Sequence, residues 1–124
     1  FFRKMLPKGH MIAAKYGEVI ACKYLRDRGY TIINRNVEIG KNELDIVARL
    51  GDMVVFVEVK SKNRWDGYAP SDRVNAQKLG GIRHAAQIWI DRRSESQRRD
   101  IPARIDVIGV VGKEVVEHYE DVTA

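Results

Sequence analysis

Two runs rich in branched apolar residues, ELDIVARL and MVVFVEVK, flank the pair Gly51-Asp52. That pattern predicts a β-hairpin closed by a two-residue loop, with glycine first as a type II′ turn requires. Leu50 then faces Met53, and counting outward sets Asp45 opposite Glu58 and Glu43 opposite Lys60. One face of the hairpin is wholly apolar, with Leu44, Ile46, Ala48 and Leu50 on the first strand and Met53, Val55, Val57 and Val59 on the second. On the other face Val47 meets Phe56, so the strands are expected to be buried on both sides except at one end, where all the charges fall.

Upstream, apolar residues recur at helical spacing between Ile12 and Arg28, and Met11, Ala14, Ala21, Cys22 and Leu25 lie on one face with Glu18. Gly29 fits the helix stop, and TIINRN opens a strand just after it. Downstream, a helix from about Ser71 to Asp91 follows Pro70, its stripe of Val74, Gly81, Ile82, Ala85 and Trp89 interrupted by Lys78 and edged by Gln77. RIDVIGVV reads as a further strand and VVEHYE as a short terminal one. The segments expected to be loose are the start, the stretch from Asn63 to Ala69, and the loop from Arg93 to Pro102.

Directly opposed side chains have Cβ atoms about 4.5–5.5 Å apart, so two ionised carboxylates there repel by roughly 3 kcal/mol at an effective dielectric near 20. Asp45 and Glu58 therefore call for something positive between them, and a divalent cation with Lys60 beside it is the core of a metal-dependent phosphodiesterase site. The Glu-x-Lys triplet alone is a weak signal; its place at the one charged end of an apolar hairpin gives it weight. Glu18 on an apolar stripe is costly to bury uncompensated, so it needs either an Arg or Lys partner or the hairpin's cation, and the cation is the favoured reading. Lys78 either snorkels to solvent or contacts a phosphate or carboxylate, and Gln77 beside it either edges the stripe or donates to a substrate or water. Lys60, Lys62 and Arg64 run from the acidic patch into a loop bearing Trp65 and Tyr68. Those rings either stack on unpaired bases or pack the loop down, the second being favoured for Trp65.

With 124 residues and 44% hydrophobic content the chain suits one ordinary core, expected over residues 11–124 as a single domain. Phe1 to His10 is given no role in the fold, and Gly9-His10-Met11 has the look of a cloning remnant. The net charge of +5 is compatible with a polyanionic partner. The single cysteine, Cys22, can form no internal disulfide, and no apolar stretch approaches membrane-spanning length, so a cytoplasmic protein with no membrane contact is expected. His10, His84 and His118 are scattered without zinc-ligand spacing, no Gly-rich phosphate loop opens a helix, and no Ser-His-Asp set can be argued.

The order helix, three strands, helix, strand, with ExD followed by ExK, resembles the PD-(D/E)XK nuclease superfamily, and within it the YraN-like family of small bacterial proteins. The matching stretches are YGEVIACKYLRDRGY, NRN, NELDIVA, VVFVEVKSK, AQKLGGIRHAAQIWI and ARIDVIGVV, from about Tyr16 to Val111. The resemblance implies an α/β fold with a restriction-endonuclease-like αβββαβ core, a central mixed sheet flanked by helices, as in archaeal Holliday-junction resolvases. It further implies Asp45 and Glu58 as Mg²⁺ ligands with Mn²⁺ as a substitute, Val59 lending its carbonyl oxygen, Glu18 as an outer or second-metal ligand, and Lys60 positioning or polarising the attacking water. Two departures stand out: Asn42-Glu43 opens the acidic strand where Gly-Glu is common, and Lys62 stands where an Arg usually follows the triplet. The activity so implied is Mg²⁺-dependent endonucleolytic hydrolysis of DNA, on branched or damaged structures, with Lys62, Arg64, Gln77 and Lys78 as nucleic-acid contacts and a homodimer to cut two strands. The alternative is a nucleic-acid-binding or partner-binding module that kept the fold and lost turnover.

Overall fold

The computed structural model describes residues 9–97 and 100–122, without the side chains of 9–15 and 94–99. The elements run α1 (Gly9–Asp27), β1 (Thr31–Ile39), β2 (Asn42–Leu50), β3 (Met53–Lys62), α2 (Ala76–Gln97), β4 (Ala103–Val111) and β5 (Glu114–Tyr119). They form one five-stranded sheet in the order β1-β2-β3-β4-β5. The first three strands are an antiparallel meander; β3 and β4 are parallel, which demands a crossover, and α2 supplies it. This is the expected αβββαβ core with β5 added antiparallel at the edge.

Both faces of the sheet are covered, which explains the near-continuous apolar runs of its central strands. Ala21, Cys22 and Leu25 of α1 pack on Ile46, Ala48, Val55, Val57, Ile108 and Val110, while Ile82, Ala85, Ala86 and Trp89 of α2 pack on Val47, Val54, Phe56 and Ile105. The hairpin turn forms as expected: Leu50 pairs with Met53 and Gly51 has φ 60°, the positive value a type II′ turn needs at its first central position.

Three expectations shift. Leu44 packs with the α2 cluster, not with the α1 face it was grouped on, and it lies beyond Ile46, where β2 leaves β3. The second helix starts at Ala76, not Ser71: Pro70 opens a 3₁₀ turn over Pro70–Arg73, Val74 is extended, and Asn75 Oδ1 accepts from the Lys78 amide (2.9 Å) as the true helix cap. It also continues past Asp91 to Gln97, into the stretch assigned to a loop. α1 begins at Gly9, two residues inside the stretch given no fold role, and residues 1–8 of that stretch lie outside the described residues.

Two glycines bring the helices down on the charged end of the sheet. A Cβ at Gly17 would meet Ser61 Cβ at 2.6 Å, and one at Gly81 would meet Asn42 Oδ1 at 2.6 Å. A side chain at Gly17 would push α1 outward, carrying Glu18 with it, and one at Gly81 would displace the Asn42 side chain.

Candidate metal centre

β2 and β3 part company at the charged end. Their ladder ends at Ile46 opposite Val57, while β2 goes on pairing with β1 as far as Asn42 opposite Ile39. The expected backbone pairings of Asp45 with Glu58 and Glu43 with Lys60 are therefore not made, and Glu43 pairs instead with Glu38 of β1. The Val59 amide, which a continuing ladder would have satisfied, donates to Asp45 Oδ2 at 2.9 Å. A carboxylate thus stands in for a strand carbonyl and holds the fork open.

Within that fork the acidic residues converge. Glu58 is only 3% exposed and shares a hydrogen bond with Asp45. Its Oε2 has no hydrogen-bond partner among the described residues, although Lys78 Nζ stands 3.3 Å away as an ion pair of poor hydrogen-bond geometry. On the α1 side Glu18, Glu43 and Asp45 each offer an oxygen within 4.8 Å of the others. Asn36 sits in the left-handed region at φ 52° and, with its amide nitrogen turned to the carboxylates, donates to Glu18 Oε1 (2.7 Å) and Glu43 Oε1 (3.2 Å). Arg35 comes to 3.9 Å of Glu18, a loose partner.

The electrostatics record this crowding. Burial, then the hydrogen bond and charge of Glu58, push the Asp45 carboxyl up to about 8, against the opposing pull of the Val59 amide and Lys78. Burial and the Asp45 charge raise Glu18 to about 7 despite Arg35 and Asn36, and burial with Asp45 also raises Glu43. Without a cation, protons must fill the gap. A buried oxygen with no donor, amid hard carboxylate ligands, fits Mg²⁺ or Mn²⁺ and offers no nitrogen or sulfur for zinc.

Lys60 follows Glu58 by two residues on the same side of the pleat, half-buried. Lys62 is turned onto its own loop, donating to Asp66 Oδ1 (2.6 Å) and the Tyr68 carbonyl (2.8 Å), while Arg64 is exposed. Gln77 and Lys78 line a cleft of about 340 Å³ with Asn42, Arg73, Asn75 and Gly81. Sequence reasoning had placed Glu43 in the patch without giving it a ligand role, and it passed over Asn36, Arg35 and Arg73. The signal for Asn36 was the NRN stretch, since asparagine is the residue, after glycine, that most readily takes a left-handed backbone.

The family model of the uncharacterised protein family UPF0102 matches residues 17–110. The chain belongs to UPF0102. A UPF0102 protein of Pseudothermotoga lettingae is 41% identical over 108 residues, covering 87% of this chain and 95% of that one. UPF0102 proteins of Streptomyces griseus (36% identical, 88% and 93% covered) and Carboxydothermus hydrogenoformans (35%, 85% and 89%) are similar along the same span. The part matched to UPF0102 contains Glu18, Asn36, Glu43, Asp45, Glu58, Lys60 and Lys78.

A second charged cluster lies on the α1 side of β4. Asp106, fully buried, accepts from Arg104 Nε (3.0 Å) and Nη2 (3.3 Å), His118 Nε2 (2.8 Å) and the Asp121 amide (3.0 Å). His118 Nδ1 in turn meets Tyr24 Oη at 2.9 Å, and Arg104 donates to Tyr30 Oη at 3.0 Å. His118, expected to be an ordinary surface or core histidine, is a half-buried histidine with a partner on each nitrogen. No helix of the described residues is long and apolar enough to cross a membrane.

Proposed function

We propose that the chain is a Mg²⁺-dependent nuclease of the PD-(D/E)XK type, hydrolysing DNA phosphodiester bonds in branched or damaged structures in the cytoplasm. The observation that carries this reading is the buried Glu58 Oε2, without a hydrogen bond among the described residues, beside the Asp45 carboxylate at the point where two strands separate. When bound, a divalent cation would polarise a phosphoryl oxygen and lower the pKa of a water. Asp45, Glu58 and the Val59 carbonyl would hold it, with Glu18 and Glu43 completing an all-oxygen set from the α1 side.

Lys60 then has a task of its own. Its ammonium beside the acids would stabilise charge that builds on the phosphoryl oxygens and hold the attacking water in line. Lys78, freed from Glu58 once that carboxylate is neutralised otherwise, would turn to a phosphate oxygen, with Gln77 donating beside it and Lys62 and Arg64 meeting the strand further along. A homodimer would let two such centres cut two strands. One observation favours the rival reading, a binding module without turnover: Lys78 brings a cation of the chain's own to Glu58.

The test is cleavage of branched, single-stranded and duplex DNA with Mg²⁺ or Mn²⁺. Metal-stimulated cleavage that vanishes in Asp45→Asn and Glu58→Gln supports the nuclease. Salt-sensitive binding with no cleavage of any substrate, unchanged in Lys60→Ala, replaces it with the binding module.

A further inference from the structure

We infer that the loop between β3 and the Pro70 turn is a stacking platform for unpaired nucleotides, which narrows the substrate of the proposed nuclease, on which the inference rests, to strands with free bases. Trp65 is 58% exposed and Tyr68 69% exposed, whereas Phe56, Trp89 and Tyr30 are buried. Trp65 is too exposed for the packing expected of it, and Tyr68 has the Lys62 ammonium 5.8 Å from its ring centroid, so core packing accounts for neither ring.

The backbone under the rings is nevertheless tied. Lys62 bonds Asp66 Oδ1 and the Tyr68 carbonyl, the Tyr68 amide donates to Asp66 Oδ1 (3.2 Å), and the Gly112 amide holds the Lys62 carbonyl at 2.8 Å. Gly67 at φ 96° makes the reversal between the rings without strain. A preorganised loop loses little further freedom when a base stacks on it, which is the condition for aromatic residues to contribute affinity. Lys62 is shared with Asp66, and Lys60, Arg64 and Arg73 stand near it to meet phosphates, Arg73 fastened to the Ser61 carbonyl at 3.0 Å.

Position ties the platform to the fork. The loop leaves β3 directly after Glu58 and Lys60, and at about 3.3 Å per strand residue Lys62 lies roughly 13 Å from Glu58, within a few nucleotides' reach. A single strand can set its bases on the rings while its phosphates meet the cations. A duplex keeps its base faces in the stack and can use the cations alone.

Fluorescence reads this directly, because the chain has two tryptophans and Trp89 is buried against Phe56 and Arg93. The full chain is titrated at low salt with oligo(dT), an abasic oligomer of equal length and a duplex of equal length. Oligo(dT) should quench Trp65 saturably and the abasic oligomer should not. The double change Trp65→Ala with Tyr68→Ala should weaken oligo(dT) binding about ten-fold or more, with duplex binding within about two-fold and the Mg²⁺-induced rise in Tm retained, while Trp65→Phe restores most of the affinity. Equal binding of the abasic oligomer, oligo(dT) affinity within about two-fold in the double variant, or no fluorescence response to any of the three overturns the platform. If it is overturned while the wild-type chain still cleaves with Mg²⁺, the nuclease reading stands. If stacking is seen and cleavage of every substrate fails, the nuclease reading falls and the platform survives it.

Discussion

Glu58 and Asp106 are buried carboxylates on neighbouring strands, and their surroundings are opposite. Around Asp106 every acceptor position is used, by Arg104 twice, His118 and the Asp121 amide. Burial alone would raise its pKa, but those donors outweigh it and hold the carboxyl below its ordinary value. Around Glu58 one oxygen has no hydrogen bond among the described residues, only the Lys78 ammonium at 3.3 Å, and the adjoining Asp45 is driven up to about 8. A carboxylate whose charge is already matched ties elements together, here β4, β5 and the segment after β5, and has nothing left to offer a ligand. A cluster whose charge is unmatched stores a demand for positive charge, which a cation can meet.

The comparison breaks most visibly on stability. Asp106→Asn should lose about 3–5 kcal/mol in urea unfolding, since it strands Arg104 and His118 around a neutral amide. Asp45→Asn, which removes one of two crowded carboxylates, should leave the metal-free chain no less stable. Equal losses in the two variants would erase the distinction.

Next in size is Lys60→Ala, which should cut turnover by about 10²- to 10³-fold, the usual effect of removing one donor aimed at developing charge. Nucleic-acid affinity should fall only by what a single phosphate contact contributes, so a filter-binding titration beside the cleavage rate separates the two roles.

Metal and pH sharpen the contrast further. Asp45 rises from an ordinary 3.8 to about 8 and Glu18 from 4.5 to about 7, so the metal-free folded chain holds protons that the unfolded chain has lost. Their contribution to stability is complete below about pH 4 and is lost as pH rises through about 7–8. Mg²⁺ must displace those protons, so its affinity should climb over the same window. Thermal melts in EDTA and in Mg²⁺ should diverge as pH rises, reaching about 2.7 kcal/mol of added stability at a hundred times Kd. Parallel curves would deny the cluster its cation. The Asp106 network, already matched, should contribute nothing to that divergence.

The smallest expected effect is at Glu18. Glu18→Gln should weaken Mg²⁺ binding about ten-fold, the low end for a residue supporting a metal from its outer shell. Calorimetry with Mg²⁺ beside an unfolding curve gives the answer, and unchanged metal affinity with a large change in stability would make Glu18 a structural residue held by Arg35 and Asn36.

Local pattern in the chain was enough to determine the hairpin, its Gly51-Asp52 turn, the register from Leu50–Met53 outward to Ile46–Val57, and the apolar faces of Ala21, Cys22 and Leu25 on α1 and of Ile82, Ala85 and Trp89 on α2, the side chains of Met11 and Ala14 lying outside the described residues and Val74 outside the helix. Each follows from a period of two or of 3.6 residues and a few turn rules, which act over neighbouring residues. For the same reason Glu18, Asp45, Glu58 and Lys60 stood out: charge at the end of an apolar run is visible without coordinates. Tertiary structure alone decided where the ladder stops, because extending a register assumes that both strands go on together, and nothing local announces that β2 leaves β3 to stay with β1. It also decided that Asp45 would satisfy the Val59 amide, that Asn36 would bring Glu43 and Glu18 together, and that Lys78 would reach Glu58 from another helix. Asp106, a lone acid in the strand RIDVIGVV, gave no sign of being matched, since its donors arrive from Tyr24's neighbour His118, from Arg104 and from Asp121. Whether a buried charge is matched depends on groups far apart in sequence, and only the folded chain assembles them.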